Sequence, residues 1–159
     1  MARVLIAPAA AEDMDAVRDL FRDYAAWLQV DYCLKDFEAE LAGLPGAYAP
    51  PAGGLWLARA DGEIAGVVGV WPLEAGDCEM KRLWVREAYR GQKSGRRLAE
   101  AAMEGARRGG HRRLLLETLD FMTAAQALYA DLGFTAAPVA GTPANVRRLA
   151  CDLTALASA

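Results

Sequence analysis

The sequence is poor in the residues that most metal sites and disulfides use. The 159-residue chain has one histidine and three cysteines, and Cys33, Cys78 and Cys151 form no CxxC or Cys/His pattern. An odd number of scattered cysteines is typical of a reducing compartment. We therefore expect a cytoplasmic protein that holds no metal.

Long apolar runs and an excess of positive charge are also missing. No segment approaches the roughly 20 apolar residues that span a bilayer. The formal net charge is -3, which provides no long-range attraction for a phosphate backbone. Neither GxGxxG nor the P-loop pattern is present, which argues against the usual nucleotide-binding folds. We expect no membrane or nucleic-acid partner.

What the chain does have is an apolar content of 54%, enough to build one ordinary core. We predict a single domain over residues 1–159, with the element order βααβββαβαβ and a final strand. The predicted helices cover residues 14–28, 35–42, 94–108 and 123–132, and the predicted strands cover residues 3–7, 55–60, 63–73, 78–85, 111–118, 134–139 and 146–153.

The fourth predicted strand, CEMKRLWV at residues 78–85, breaks its own alternation. Its apolar residues change from even to odd positions midway along the strand. One extra residue in a β-bulge near Lys81 and Arg82 would keep all of them on one face, and bulges are frequent beside active sites. The alternative is that Trp84 is simply buried on a second covered face.

The segment RGQKSG, residues 90–95, follows this strand and opens the next predicted helix. A turn of small residues at a helix start directs several free backbone N–H groups to one point, which attracts phosphate. Arg90, Lys93, Arg96 and Arg97 add local positive charge to an otherwise acidic chain. An ordinary tight turn with solvent-facing arginines is the alternative interpretation.

Together with the element order, these features resemble the GNAT superfamily of N-acetyltransferases. The similarity is dense from Cys78 to Phe134, where CEMKRLWV, the loop pattern Q/R-x-x-G-x-G/A, the helix start RRLAEA and the segment ALYADLGF follow one another. The resemblance implies an α/β (α+β) fold: a mixed, mostly antiparallel, twisted central sheet of six to seven strands with a bulged fourth strand and about four helices. It also implies acetyl-CoA as co-substrate and acetyl transfer to a primary amine by direct attack in a ternary complex.

Carried onto this chain, the resemblance predicts the cofactor-binding residues. Lys93 stands where the family usually has glycine, and Met122 where many relatives have a cofactor-binding asparagine. Cofactor affinity could fall for these reasons, or rise because the Lys93 ammonium is itself a phosphate partner. Leu83, Trp84 and Val85 would lie along the pantetheine arm, and the pyrophosphate would be surrounded by Arg90, Gly91, Gln92, Lys93, Ser94, Gly95 and Arg96.

The resemblance also predicts catalytic residues. Tyr129 matches the tyrosine that such enzymes place near the sulfur, where its hydroxyl can protonate the departing thiolate. An alkyl amine resembles lysine, with a pKa of about 10.4, and must lose a proton before it attacks. Glu79 is our first candidate for the base, Glu117 is the second, and water without a dedicated base stays open. By spacing alone, Tyr129 would be a core residue and each glutamate a solvated one.

Two other routes receive less weight. A covalent acetyl-cysteine is disfavoured because no cysteine lies beside a histidine, and His111 is interpreted as a surface residue. The rival from another class is a non-catalytic acyl-CoA-binding sensor or interaction module, which the Lys93 and Met122 departures motivate.

The resemblance implies that the acceptor lies across the sheet from the cofactor, walled by the first two helices, the loop after them and the last hairpin. It would be a small-molecule amine or a peptide or protein amine, and a homodimer through a sheet edge stays open. Helical spacing alone would place Tyr24 and Trp27 in the core. The aromatic and acidic residues of these segments would suit a cation: Tyr24, Trp27, Asp31, Tyr32, Glu38, Glu40 and Tyr48.

Overall fold

The computed structural model describes residues 3–28 and 34–156. Within these ranges the chain forms seven strands and four α-helices. In chain order they are β1 (Val4–Pro8), α1 (Met14–Leu28), α2 (Phe37–Ala42), β2 (Gly54–Ala60), β3 (Glu63–Pro72), β4 (Asp77–Val85), α3 (Ser94–Arg108), β5 (Arg113–Leu119), α4 (Thr123–Asp131), β6 (Thr135–Ala136) and β7 (Val146–Asp152).

The predicted elements are present, and the differences at their ends have local causes. α2 begins two residues later than predicted because Asp36 adopts a left-handed conformation, with φ of 56°. β6 has two residues instead of six. Pro138 follows shortly after β6, and a proline has no N–H to donate to a strand ladder.

The described strands form one sheet in the order β1-β2-β3-β4-β5-β7-β6. Every neighbouring pair is antiparallel except β4 and β5, which are parallel. This arrangement confirms the predicted mixed, mostly antiparallel sheet. The parallel pair is joined by α3, as a parallel connection requires a crossover.

Each face of the sheet has its own hydrophobic core. Val68 and its same-face neighbours pack with α3 and α4, whereas Val67, on the opposite face, packs with α1 and α2. Successive strand residues point to opposite faces, so both sides of β3 are buried. We call the two sides the α3 face and the α1 face.

The predicted bulge in β4 is confirmed. Gly69 pairs with Lys81 and Val67 pairs with Trp84, so one residue of β3 lies opposite two residues of β4, Arg82 and Leu83. Arg82 has φ of 63°, in the left-handed region that side chains other than glycine rarely adopt. The extra residue restores the alternation that the sequence pattern breaks.

The parallel strands β4 and β5 pair over only part of their length. Residues 77–79 pair with residues 113–115, and no further pairs form although β4 continues to Val85 and β5 to Leu119. The two strands therefore separate beyond Glu79. The gap lies just beside the bulge.

Candidate active site

A cavity of about 550 Å³ lies in the gap between β4 and β5. Its walls come from both strands, from α1, from α4 and from the turn between β5 and α4. Seven of the predicted site residues line it, and two more residues predicted for the acceptor side do so as well. They are Glu79, Leu83, Trp84, Val85, Arg90, Glu117 and Tyr129, with Tyr24 and Trp27.

The remaining predicted cofactor residues form the turn that opens α3. The first helical hydrogen bond runs from the Arg97 N–H to the Lys93 carbonyl at 3.0 Å, so the N–H groups of residues 94–96 lie outside the helical ladder. The side chain of the N-cap residue, Lys93, makes no capping hydrogen bond. The turn therefore presents free donors and the positive end of the helix dipole, which together favour an anion.

This turn fits a phosphate group in two further respects. Ser94 Oγ is buried and has no hydrogen-bond partner among the described residues, so it is available as a donor. Gly91 has φ of 83°, and a Cβ built on it would meet nothing within 4 Å. Lys93 has φ of 63°, the conformation that glycine adopts without strain, so the substitution keeps the turn geometry.

Arg96 is held by carboxylates of two helices. It forms an ion pair with Asp131 of α4 and lies 3.7 Å from Glu100 of α3. Its guanidinium therefore connects α3 to α4. Its predicted role beside a pyrophosphate stays a prediction.

Tyr129 is positioned by α4 at the wall of the cavity. Its ring packs edge-on against Phe134 at 5.8 Å and belongs to the core of the α3 face. Burial raises the pKa of the Tyr129 hydroxyl, and the nearby Tyr24 raises it further. The hydroxyl is therefore protonated at neutral pH, which is the state that a general acid needs.

Glu79 lies at the point where β4 and β5 separate, since it is the last residue of β4 that pairs with β5. Burial raises the pKa of its carboxyl, and Glu117 raises it further against the opposing effect of Lys81. A raised pKa makes a carboxylate a better proton acceptor near neutral pH. Glu117 is less suited, because its carboxylate accepts a hydrogen bond from Arg148 at 3.0 Å.

The bulge rests on a buried ion pair that the sequence analysis missed. Arg82 donates two hydrogen bonds to Glu40 of α2, from Nε to Oε2 at 3.0 Å and from Nη2 to Oε1 at 2.9 Å. The two side chains are only 3% and 6% exposed. Although burial opposes ionisation, the hydrogen bonds and charge of Arg82 lower the pKa of Glu40. The Tyr48 hydroxyl donates a third hydrogen bond to Glu40 at 2.9 Å.

This ion pair corrects the predicted acceptor wall. Glu40 and Tyr48 do not face an acceptor, because both are buried beneath the bulge and neither lines the cavity. Glu38 is exposed and does not line the cavity either. Asp31 and Tyr32 lie outside the described residues. Arg82 itself was the available signal, because it stands where the alternation of a largely buried strand changes. A charged residue at such a position predicts a buried partner, since buried charges are almost always paired.

Trp84 packs on the α1 face, whereas its neighbours Leu83 and Val85 pack on the α3 face. Its ring lies 6.2 Å from that of Tyr24 and 5.4 Å from that of Trp27, and the Arg90 guanidinium stacks over it at 4.7 Å. The three predicted pantetheine residues are therefore divided between the two faces. Only the backbone of this segment is common to both.

His111, Cys78 and Cys151 are not among the residues that line the cavity. His111 is at 2.6 Å from the Ala52 carbonyl and is partly exposed. Burial raises the pKa of the Cys78 thiol to about 12, and it raises that of Cys151 as well. Cys33 lies outside the described residues. Within residues 3–28 and 34–156 no three His, Cys, Asp or Glu side chains come together as a metal site, and no helix is long and apolar enough to cross a membrane.

Comparisons with known proteins define the class of this protein. A family model described as the acetyltransferase (GNAT) family matches residues 14–134, which include both the bulged strand and α4. The chain therefore belongs to the GNAT acetyltransferase family and is an acyltransferase. Acyl transfer that depends on acetyl-CoA is the chemistry of this family, which favours an enzyme over a sensor that only binds the cofactor.

Two relatives have comparable length and similar sequences. An uncharacterized N-acetyltransferase of Schizosaccharomyces pombe is 34% identical over 125 residues, which cover 77% of this chain and 77% of the relative. The uncharacterized N-acetyltransferase YjgM of Escherichia coli is 34% identical over 121 residues, covering 74% of this chain and 71% of its own.

Solved structures share the fold. A GNAT-family acetyltransferase of Staphylococcus aureus superposes with a TM-score of 0.78 at 19% identity, covering 95% of this chain and 99% of its own. The PaiA N-acetyltransferase of Thermoplasma acidophilum, in complex with coenzyme A, gives a TM-score of 0.73 at 16% identity and covers 94% and 99%.

Proposed function

We propose that this protein transfers the acetyl group of acetyl-CoA to a primary amine by direct attack in a ternary complex. One observation carries the proposal: a single cavity, in the gap beside the bulge, is lined by a protonated tyrosine and by a carboxylate of raised pKa. A thioester and an amine that met there would have a proton donor and a proton acceptor beside them.

The backbone around the bulge and the start of α3 supply the cofactor interactions in this proposal. The bulge leaves Arg82 and Leu83 without partners on β3, and no residue of β4 after Glu79 pairs with β5, so backbone N–H groups of this segment can bind the thioester carbonyl and the pantetheine amides. The pyrophosphate lies against the turn 90–95, where the N–H groups of residues 94–96 and Ser94 Oγ serve as donors.

The transfer follows from the positions of Glu79 and Tyr129. Glu79 accepts a proton from the ammonium of the acceptor, directly or through water, and the neutral amine attacks the thioester carbonyl carbon. A C–N bond forms, the C–S bond breaks, and the thiolate of CoA takes the proton of the Tyr129 hydroxyl. The extra proton on the nitrogen of the product and the proton held by Glu79 are released to solvent, and Tyr129 is reprotonated from solvent.

The test replaces the tyrosine hydroxyl alone. We expect Tyr129→Phe to lower kcat by about 100-fold, the lower end of the range for general acid catalysis, while the Kd of acetyl-CoA measured by calorimetry stays within twofold. Tyr89→Phe, which removes the hydroxyl of a tyrosine outside the cavity lining, is the matched control and should leave kcat unchanged. Equal kcat in wild type and Tyr129→Phe would remove Tyr129 as the acid.

The cofactor interactions are tested by titration with acetyl-CoA, CoA and ATP. Micromolar binding that is selective for the two CoA compounds supports the proposal. Absence of acetyl-CoA binding to folded protein would reject it.

A further inference from the structure

Three aromatic side chains form a continuous row at the cavity, and we call Trp84, Trp27 and Phe121 the aromatic row. The rings of Trp84 and Trp27 lie 5.4 Å apart, and those of Trp27 and Phe121 lie 6.1 Å apart. All three residues line the cavity. The row runs from a half-buried ring on β4 to two rings that face solvent.

The outer two rings are unusually exposed for their size. Trp27 is 47% exposed and Phe121 is 59% exposed, and they belong to different elements: the last turn of α1 and the turn after β5. Large apolar rings that meet at the surface beside a cavity are typical of a ligand-binding site. A flat aromatic group placed against these rings would gain offset-stacked or edge-to-face contacts, the arrangements that aromatic pairs prefer.

The charges around the cavity argue against a polycationic acceptor. Its described lining contains four cationic side chains and only two carboxylates. Of the carboxylates, Glu117 is bonded to Arg148, which leaves Glu79 to interact with one amino group. A polyamine or an aminoglycoside, with several ammonium groups, would bring more positive charges than Glu79 can pair, next to cationic lining residues such as Lys81 and Arg90.

We propose that the acceptor is a small primary amine joined through a short chain to an aryl group. The aryl group lies against the aromatic row, and the amine reaches inward to Glu79. This inference rests on the proposed acetyl transfer, because it identifies the acceptor class of the same cavity. It assigns to Trp27 and Phe121 a role in acceptor binding that the cofactor site does not need.

Acceptor preference is the first experimental arm. Initial rates of acetyl transfer are measured with phenethylamine, with hexylamine, which is apolar but not flat, and with spermidine. We expect kcat/KM for phenethylamine to exceed that for spermidine by at least tenfold and that for hexylamine by severalfold. Equal or higher kcat/KM with spermidine would overturn the inference.

The second arm removes the rings singly. Trp27→Leu and Phe121→Leu keep an apolar side chain, and each should raise the KM for phenethylamine by about tenfold with little change in kcat or in the Kd of acetyl-CoA. Leu73→Ala alters another exposed apolar residue, outside the cavity lining, and is the matched control. An equal loss with all three acceptors in a variant of unchanged Tm would contradict a role for the rings in aryl binding.

Binding without turnover separates this inference from the proposed function. Calorimetric titration of phenethylamine into the CoA-loaded protein, wild type and Trp27→Leu, reports the aromatic row independently of chemistry. Binding that Trp27→Leu weakens supports the aryl site even if no acetyl transfer is detected, in which case the proposed function fails by itself. No binding to the wild-type complex, together with acetyl transfer to other amines, overturns the inference and leaves the proposed function standing.

Discussion

The two faces of the sheet differ in how they can recognise a ligand at the gap between β4 and β5. On the α3 face the buried side chains are almost all apolar, and the polar groups available are mainly backbone N–H groups of the bulge and of the start of α3, with the hydroxyls of Ser94 and Tyr129. On the α1 face the gap is surrounded by ion pairs, Arg82 with Glu40 and Arg148 with Glu117, and by the aromatic row.

The difference shows why one half of this site has a sequence pattern and the other has none. Recognition through the backbone requires only a turn of suitable φ and ψ and a strand with one extra residue, both of which are local. Recognition through side chains draws on α1, α2, β4, β5 and β7 together. A cofactor that all members of a family share suits the first face, and acceptors that vary suit the second.

The largest effect should follow from breaking the ion pair beneath the bulge. Glu40→Leu leaves the Arg82 guanidinium buried without its partner, which costs about 3 kcal/mol or more of the free energy of unfolding. The double variant Glu40→Leu with Arg82→Met removes both charges and should recover most of that loss. Urea denaturation measures both. Equal destabilisation in the single and double variants would show that the ion pair is not what the bulge rests on.

Glu104 on α3, which forms ion pairs with two arginines at the surface, provides the control for this comparison. Glu104→Gln breaks the pairs with Arg107 and Arg108 at the surface, where water and salt screen the charges. Its free energy of unfolding should change little. A similar loss for Glu104→Gln and Glu40→Leu would mean that burial does not distinguish the two sites.

The next effect concerns the base. Glu79→Gln should lower kcat/KM about tenfold at neutral pH, less than the roughly 100-fold at the lower end of the range for general acid–base catalysis, because water can substitute for the carboxylate. The Glu79 carboxylate must be ionised to accept a proton. In the wild type, kcat/KM should therefore fall as the pH drops through the raised pKa of Glu79, and this acidic limb of the pH profile should lie above pH 4.5, the ordinary pKa of a glutamate. Glu79→Gln should lack that limb.

The acceptor amine also loses activity at low pH, so the limb must be assigned. Two acceptors whose own pKa values differ separate the contributions, since the limb of Glu79 stays at one pH and the limb of the amine moves with the acceptor. A limb that moves fully with the acceptor in the wild type, and persists in Glu79→Gln, would leave water as the base.

The features that the sequence predicts are those with a local cause. The shift in alternation between residues 78 and 85 predicts the bulge because side chains alternate with a period of two. Glycine and serine before a helical pattern predict the anion-binding turn. The bulge and the turn are both present, whereas anion binding by the turn stays a prediction; the helices and strands around them followed from hydrophobic spacing with errors of a few residues at the ends.

The features that it does not predict are contacts between distant residues. Arg82 and Glu40 are 42 residues apart, and no spacing rule connects a strand to a short helix over that distance. Tyr48 was expected at the acceptor wall because it lies in the loop after the first two helices, yet it is 1% exposed. Its ring occupies the place where a side chain at position 69 would be, since a Cβ on Gly69 would lie 2.5 Å from the Tyr48 ring.

The smallest effect should come from Lys93, and it decides whether the backbone is what recognises the cofactor on the α3 face. Lys93 has φ of 63°, which costs a residue with a side chain about 1 kcal/mol and costs glycine nothing. Lys93→Gly should therefore raise the free energy of unfolding by roughly 0.5 kcal/mol, after the greater entropy of glycine in the unfolded chain is subtracted. Lys93→Ala loses the same ammonium but keeps the strain, so it should not be stabilised.

Both variants should weaken acetyl-CoA binding equally and only slightly. An exposed ammonium contributes up to about 1 kcal/mol to an ion pair, which corresponds to no more than about a fivefold rise in Kd. The Kd of the wild type should also depend more on salt than that of either variant. Calorimetry at two ionic strengths measures both. If Kd instead rose about 100-fold in both variants, the ammonium would be the main phosphate ligand, and the cofactor would be recognised through a side chain on the α3 face as well.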